Sequence, residues 1–389
     1  MTSNDQQKDS ARSAGVLQNN RLAYIDNLKV LAIIFVVIIH VSTTYSGFGS
    51  WYYTEHTLLD STSFYFFLSV ELWNLAYLMP MFFLIAAYFV SPSLDKKGVK
   101  RFIQDRLFRL GAPTLIYTLL ISPFVIKIGH PNIDLLGFYK KGLASFSFIS
   151  WTGPMWFALT LLIFSIMYIP LNQLFIKLAN RYSFTLNIKT ALWLIVINGM
   201  SAFAIRLIYP IGTSVINLQF CFFAVYISMF LAGIIAYRKS ILENINYSMA
   251  KKWFLTALTL GIPLWIVVVY YGVNKTGLQY SAILGGWNFL ALGYALWESF
   301  FCVAIIIGLI GIFKKRFNTQ NTLQKFLSDN AFGVYVFHPV VVVTTSILLK
   351  NVSIYPILKF VVVVFITVPL SFIFAALIRK VRILQKLFS

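Results

Sequence analysis

The stretch beginning at Arg21, RLAYIDNLKVLAIIFVVIIHV, holds Lys29 near one end of an apolar run and His40 near the other. At ~1.5 Å and ~100° per residue, the two lie about 16 Å apart on nearly the same face of a helix. Asp26, three residues before Lys29, shares that face and can pair with it. Such a stripe is costly against lipid, so it must face other helices or an aqueous cavity. Histidine titrates near the operating pH, and a neighbouring carboxylate would orient its ring and stabilise the protonated form. A base of this kind could take the proton from a hydroxyl attacking an acyl carbonyl. Glu71 and Glu298 are the carboxylates at comparable depth, and Arg206, close to the end of its own apolar run, could bind an anionic acceptor or a developing oxyanion. Four such groups on four helices suggest one internal cavity. The plainer reading makes His40 and Glu71 an interhelical pair and sends Arg206 to the headgroups.

A second cluster lies in VKRFIQDRLFRLGAP, where Arg101, Arg106 and Arg109 join Lys96, Lys97 and Lys100. These charges suit the phosphates of a soluble activated donor, and they suit anionic lipid headgroups nearly as well. No phosphate-binding glycine loop, HExxH or GxSxG element accompanies them, so neither nucleotide hydrolysis nor serine hydrolase chemistry is supported. His338, in NAFGVYVFHPVVV, is either a second polar cavity residue or a packed histidine. His56 and His130 have no ligand spacing, and no metal is expected. Trp51, Trp73, Trp151, Trp156 and Trp287 fall near one boundary of the apolar runs as an aromatic belt. Trp151 and Trp156, in WTGPMWFALT, are also candidates for stacking on a sugar.

The elements that position these groups follow from composition. Of 389 residues, 59% are hydrophobic and 11% charged, whereas a soluble domain carries about a quarter charged. Apolar windows recur at about 27–46, 63–90, 112–128, 153–173, 190–209, 217–237, 253–272, 287–312, 329–349 and 356–378, each near the ~20 residues a membrane helix needs. The expectation is an all-α, polytopic integral membrane helical bundle of about ten transmembrane helices. The net charge of +20 sits in short linkers, which argues for cytoplasmic loops rather than nucleic-acid binding. Linkers 91–111, 174–189, 238–252 and 313–328 and the tail from Arg379 are the basic ones, which puts both termini in the cytoplasm of a multi-pass cell (inner) membrane protein. Residues 1–20 read as a disordered cytoplasmic tail, 21–378 as the membrane domain and 379–389 as a basic cytoplasmic tail. Linker 129–152, the longest on the far side, suggests a lid or re-entrant piece. Cys221 and Cys302 lie in apolar runs as small buried hydrophobes.

Several stretches resemble the membrane-bound acyltransferase 3 family: YIDNLKVLAIIFVVIIHV, MPMFFLIAAYFV, RFIQDRLFRLGAP, GPMWFALTLLIF, IRLIYPIG with FLAGIIAYR, and LSDNAFGVYVFHPVVV. They occur in the family's order over most of 21–378, and the chain looks closest to the branch with the glucan succinyltransferases. The resemblance implies an O-acyltransferase using acyl-CoA as cytoplasmic co-substrate, with no bound cofactor, and an envelope glycan or similar hydroxylated acceptor outside. It also implies an essential role for His40. The family has arginine where this chain has Lys29, which keeps the charge and loses the planar fork. It usually has Ser-Gly at the positions of Ala86 and Ala87. By this reading Lys29, Arg101, Arg106 and Arg109 hold acyl-CoA, His40 with Glu71 or Glu298 does the chemistry, and Arg206, Trp151, Trp156 and His338 meet the acceptor. The competing class is a transporter or flippase using the same polar cavity for passage alone. Paired inverted repeats would favour it, and none is evident.

Overall fold

The structure, a computed structural model, describes residues 22–55, 59–272, 274 and 280–388. The 1–20 segment and His56 lie outside the described residues. The described chain is helical, with one isolated bridge between Val215 and Leu218 and no sheet. Its helices are α1 (Ala23–Ser46), α2 (Ser61–Arg106), α3 (107–129), α4 (Leu135–Ala144), α5 (Trp156–Arg181), α6 (Ile188–Arg206), α7 (Phe223–Arg238), α8 (Tyr247–Tyr271), α9 (Phe289–Arg316), α10 (Thr322–Leu348), α11 (Pro356–Arg379) and α12 (Arg382–Leu387).

Among the described residues nine helical runs are long and apolar enough to cross a membrane, and one of them, Ser61–Gly129, is 69 residues long. A crossing needs only ~20 residues. This run folds back at Gly98, whose φ of 69° and ψ of 167° fit no helix and suit a residue without a Cβ. After the bend the Tyr117 hydroxyl comes within 2.8 Å of Tyr52, in the loop that follows α1. Each arm of the run is long enough to cross, so with the eight single helices the described residues offer nine to ten candidate crossings, in line with the expected number. Prolines shape the thin-looking spans. The π-turns Leu107–Gly111, Tyr117–Ile121 and Ala257–Gly261 each end two residues before a proline, at Pro113, Pro123 and Pro263. A wider turn frees the carbonyl that the proline ring would strike, so these helices continue instead of breaking.

Lipid is as apolar as the helix surfaces, so close backbone approach and buried polar ties hold the helices together. Where α7 crosses α2, a Cβ on Gly233 would lie 2.2 Å from the Leu84 carbonyl oxygen and 2.8 Å from the Ala87 methyl. Gly233→Val should lower stability by about 1–3 kcal/mol, read from thermal unfolding in detergent. An unchanged midpoint would mean that the crossing is looser than described.

At the basic end, Asn27 of the IDNLK stretch donates to the carbonyls of Phe317 and Thr319 at 2.8 and 2.9 Å, and so pins α1 to the α9–α10 turn. Arg238 donates to Tyr168 at 2.9 Å and Asn172 at 2.6 Å and pairs with Asp95 at 3.3 Å, tying α7 to α5 and α2. The chain beyond Arg379 forms α12, and its Phe388 is buried against Phe337 of α10. The 129–152 linker holds α4 and a 3₁₀ turn at Ser147–Ser150. Reporter fusions after residues 50, 100, 145 and 320 should read outside, inside, outside and inside, following the positive charge of the linkers. An outside signal at 320 would overturn that orientation.

Candidate active site

His40 lies toward the end of α1 away from the basic loops, and it does not sit beside a carboxylate. Its ring is stacked on Trp51, with centroids 4.0 Å apart and planes 7° from parallel. His338 of α10 lies beside this pair, its ring 5.0 Å from that of His40 and 6.2 Å from that of Trp51, with planes within 15° of parallel. Among the described residues no side chain hydrogen-bonds the His40 ring, which is only partly buried and keeps its nitrogens open.

His338 is wholly buried, and its sequence neighbour explains its pose. Pro339 has no N–H, so the Tyr335 carbonyl four residues earlier loses its helical donor. The His338 Nδ1 takes that place, 3.0 Å from the Tyr335 oxygen and 3.1 Å from that of Val334. Carbonyls only accept, so Nδ1 carries the proton, and the lone pair of a neutral ring sits on Nε2. That nitrogen is buried without a partner among the described residues.

Trp51 reaches His40 because its loop is bound inward. The Glu55 N–H donates to the Thr44 carbonyl at 2.8 Å, and the Glu55 carboxylate lies 2.6 and 2.8 Å from the buried Lys359 ammonium of α11. Tyr52 bonds Tyr117 and also Ser122, at 3.2 Å. Asp60 caps α2 by accepting from the Ser63 N–H at 2.6 Å and takes the Tyr355 hydroxyl at 2.8 Å. The Ser63 N–H first, then the hydroxyl contacts, hold the Asp60 carboxyl below its ordinary range.

The candidate carboxylates take separate partners. Glu71 lies 3.0 Å from the Thr43 hydroxyl, one turn beyond His40 on α1. Glu298 is bound to Arg206 at 2.6 Å, with both side chains buried between α9 and α6. The Arg206 guanidinium also lies over the rings of Phe222 and Tyr294, at 5.2 and 5.6 Å. The four groups grouped by depth thus form two sites, with Glu71 beside the His40 helix and Glu298 committed to Arg206. Trp151 packs on Phe138 at 4.4 Å and fills the space over Gly142, so one indole face is covered. Trp156 packs on Tyr226 at 5.7 Å.

The basic groups separate in a similar way. Lys29 and Arg106 line the same cavity of about 250 Å³, whereas Arg101 and Arg109 are exposed outside it. Lys29 lies 3.4 Å from Asp26 and 5.0 Å over the Phe89 ring, and Arg106 lies 5.1 Å over Phe102. From Phe89 to Met79 along α2 the cavity runs about 15 Å, with Ile33, Phe82, Phe157 and Leu110 among its walls. Tyr335, one helical turn before His338, is the lining residue furthest along α10, and its hydroxyl donates to the Pro154 carbonyl. Two residues here escaped the sequence reading. Trp51 passed for belt, and Lys359 was unmarked, although a lysine inside the apolar YPILKF run was a signal.

Fold and site together define a polytopic membrane protein with a cation-rimmed apolar cavity leading toward a histidine pair. The model of the acyltransferase 3 family, described as an acyltransferase domain, matches residues 22–376, and the chain belongs to that family. No curated protein and no solved structure matches the chain.

Proposed function

We propose that this protein is a membrane-bound O-acyltransferase of the cell membrane, moving an acetyl or succinyl group from cytoplasmic acyl-CoA to a hydroxyl of an extracytoplasmic glycan or similar envelope acceptor. The observation that carries the reading is the placement of Lys29 and Arg106 on an apolar cavity whose lining reaches Tyr335, one turn short of the His338–His40 stack. The phosphates of the donor meet the two cations, and the thin acyl-bearing arm follows the cavity inward. Tyr335 must swing aside for the thioester to reach His40. His40 removes the acceptor proton as the hydroxyl oxygen attacks the thioester carbonyl. The tetrahedral intermediate collapses with loss of CoA thiolate, and the proton passes from the imidazolium to that leaving group. Glu71 is the nearer carboxylate and supports the site through Thr43, while the Arg206–Glu298 pair holds α6 on α9.

Reconstituted in liposomes with radiolabelled acyl-CoA and envelope glycan, the protein should yield ester-linked label on the glycan. Passage of glycan across the bilayer with no ester formed would favour a flippase instead. The donor side has its own test. Lys29→Ala and Arg106→Ala should each raise the KM for acyl-CoA about 10- to 100-fold, the cost of one charge-assisted phosphate contact. Lys29→Arg should match or better the parent, and Arg101→Ala and Arg109→Ala should change KM much less. Equal effects at all four cations would assign them to lipid and topology.

A further inference from the structure

We infer that Trp51 is a positioning residue whose indole face stabilises the positive charge His40 acquires during transfer. This rests on the proposed role of His40 as base. In the familiar serine-protease arrangement a buried carboxylate orients the histidine and balances the imidazolium. Among the described residues none of the candidate carboxylates bonds the His40 ring: Glu71 takes the Thr43 hydroxyl, and Glu55 and Glu298 are ion-paired with Lys359 and Arg206. The other ring against His40, His338, uses its N–H on backbone carbonyls and adds no negative charge. What faces His40 is the indole, 4.0 Å away and within 7° of parallel.

An aromatic face carries negative charge density and attracts a cation, most strongly for tryptophan. Neutral imidazole gains only stacking from that face, whereas imidazolium gains the added electrostatic attraction. The interaction therefore strengthens as the proton arrives, which is the condition for it to lower the barrier rather than merely bind. It also needs a rigid indole. Glu55 on buried Lys359, with Tyr52 on Tyr117 and Ser122, supplies that rigidity from both sides of the loop.

The test replaces Trp51 with indoles bearing one, two and three fluorines in reconstituted full-length protein, assayed for acyl transfer from acyl-CoA to envelope glycan. Fluorine drains the face of charge and leaves its shape nearly unchanged. The kcat should fall stepwise with each fluorine while the KM for acyl-CoA stays constant. Trp51→Leu should lose about 3- to 30-fold in kcat, and Trp51→Phe should retain an intermediate rate. The fluorinated series keeps the test decisive if Trp51→Leu folds poorly. A flat series would overturn the inference. A rate that rises with fluorination would also overturn it, pointing to the indole N–H as a hydrogen-bond donor, since fluorine makes that proton more acidic. His40→Gln separates the two levels: full activity there removes the base itself, whereas an inactive His40→Gln beside a flat series removes only the role of Trp51.

Discussion

Replacing His40 with glutamine should lower the transfer rate by about 10²- to 10⁴-fold, the span typical of a positioned base. Insertion and folding should be unaffected. Glutamine fills similar space and forms hydrogen bonds, but it takes up no proton near neutral pH. The structure gives a specific reason to expect intact folding: no side chain among the described residues bonds the His40 ring, so its removal strands no buried partner. His40→Ala should lose a similar factor in rate and some stability, because Trp51 and His338 would face a gap. Activity within threefold of the parent in both variants, with folding verified, would reduce His40 to a packed core residue.

The Arg206–Glu298 pair should give the largest effect on stability. Glu298→Gln or Arg206→Met removes one partner of a pair whose side chains are 1% and 4% exposed. The surviving charge would stay buried among Phe222, Tyr294 and Cys221, and breaking such a pair costs about 3–5 kcal/mol. The Arg206 Nε and Nη1 and the Glu298 Oε1 have no partner among the described residues, so little is on hand to take over. The double variant Arg206→Met/Glu298→Leu should recover most of that loss, since apolar side chains of similar volume replace both charges. Reversible unfolding in mixed micelles checks the order: each single variant well below the double. Activity then separates two roles for the pair. A stable double variant that still transfers acyl groups confines the pair to holding α6 on α9, while a stable but inactive one assigns Arg206 to the acceptor.

Much of the architecture was legible in the sequence because lipid imposes a length. A run such as 356–378 must be a helix of about one bilayer, and Pro356–Arg379 is that helix. Even the return at Gly98 was implied, since 112–128, though short and flanked by Pro113 and Pro123, read as a span of its own and the charges between the two runs suited a loop. Depth along a helix was also readable, as the Lys29–His40 spacing shows. Azimuth was harder. His40, Glu71, Arg206 and Glu298 were matched by height, but height does not say which helices touch, and Glu298 faces α6 rather than α1. Arg101, Arg106 and Arg109 follow one another too closely for composition to separate them, and only the rotation of the returning helix puts Arg106 alone on the cavity.

Trp51 shows the opposite case. It sits in a short irregular loop, where no periodicity reports direction, and interfacial tryptophan is common enough to hide a particular one. What turns it inward is a set of contacts distant in sequence, above all Glu55 with Lys359. The His338–Pro339 pair, by contrast, carried a local clue. A proline inside a helix leaves a carbonyl without its donor, and a histidine beside it is well placed to supply one.

The most direct test of acyl transfer is mass spectrometry of envelope glycans from cells with and without this protein. The account predicts that deletion removes an acetyl or succinyl ester from one glycan, that the parent sequence restores it, and that His40→Gln, expressed and inserted at parental levels, does not. An unchanged ester profile on deletion, or full restoration by His40→Gln, would contradict it.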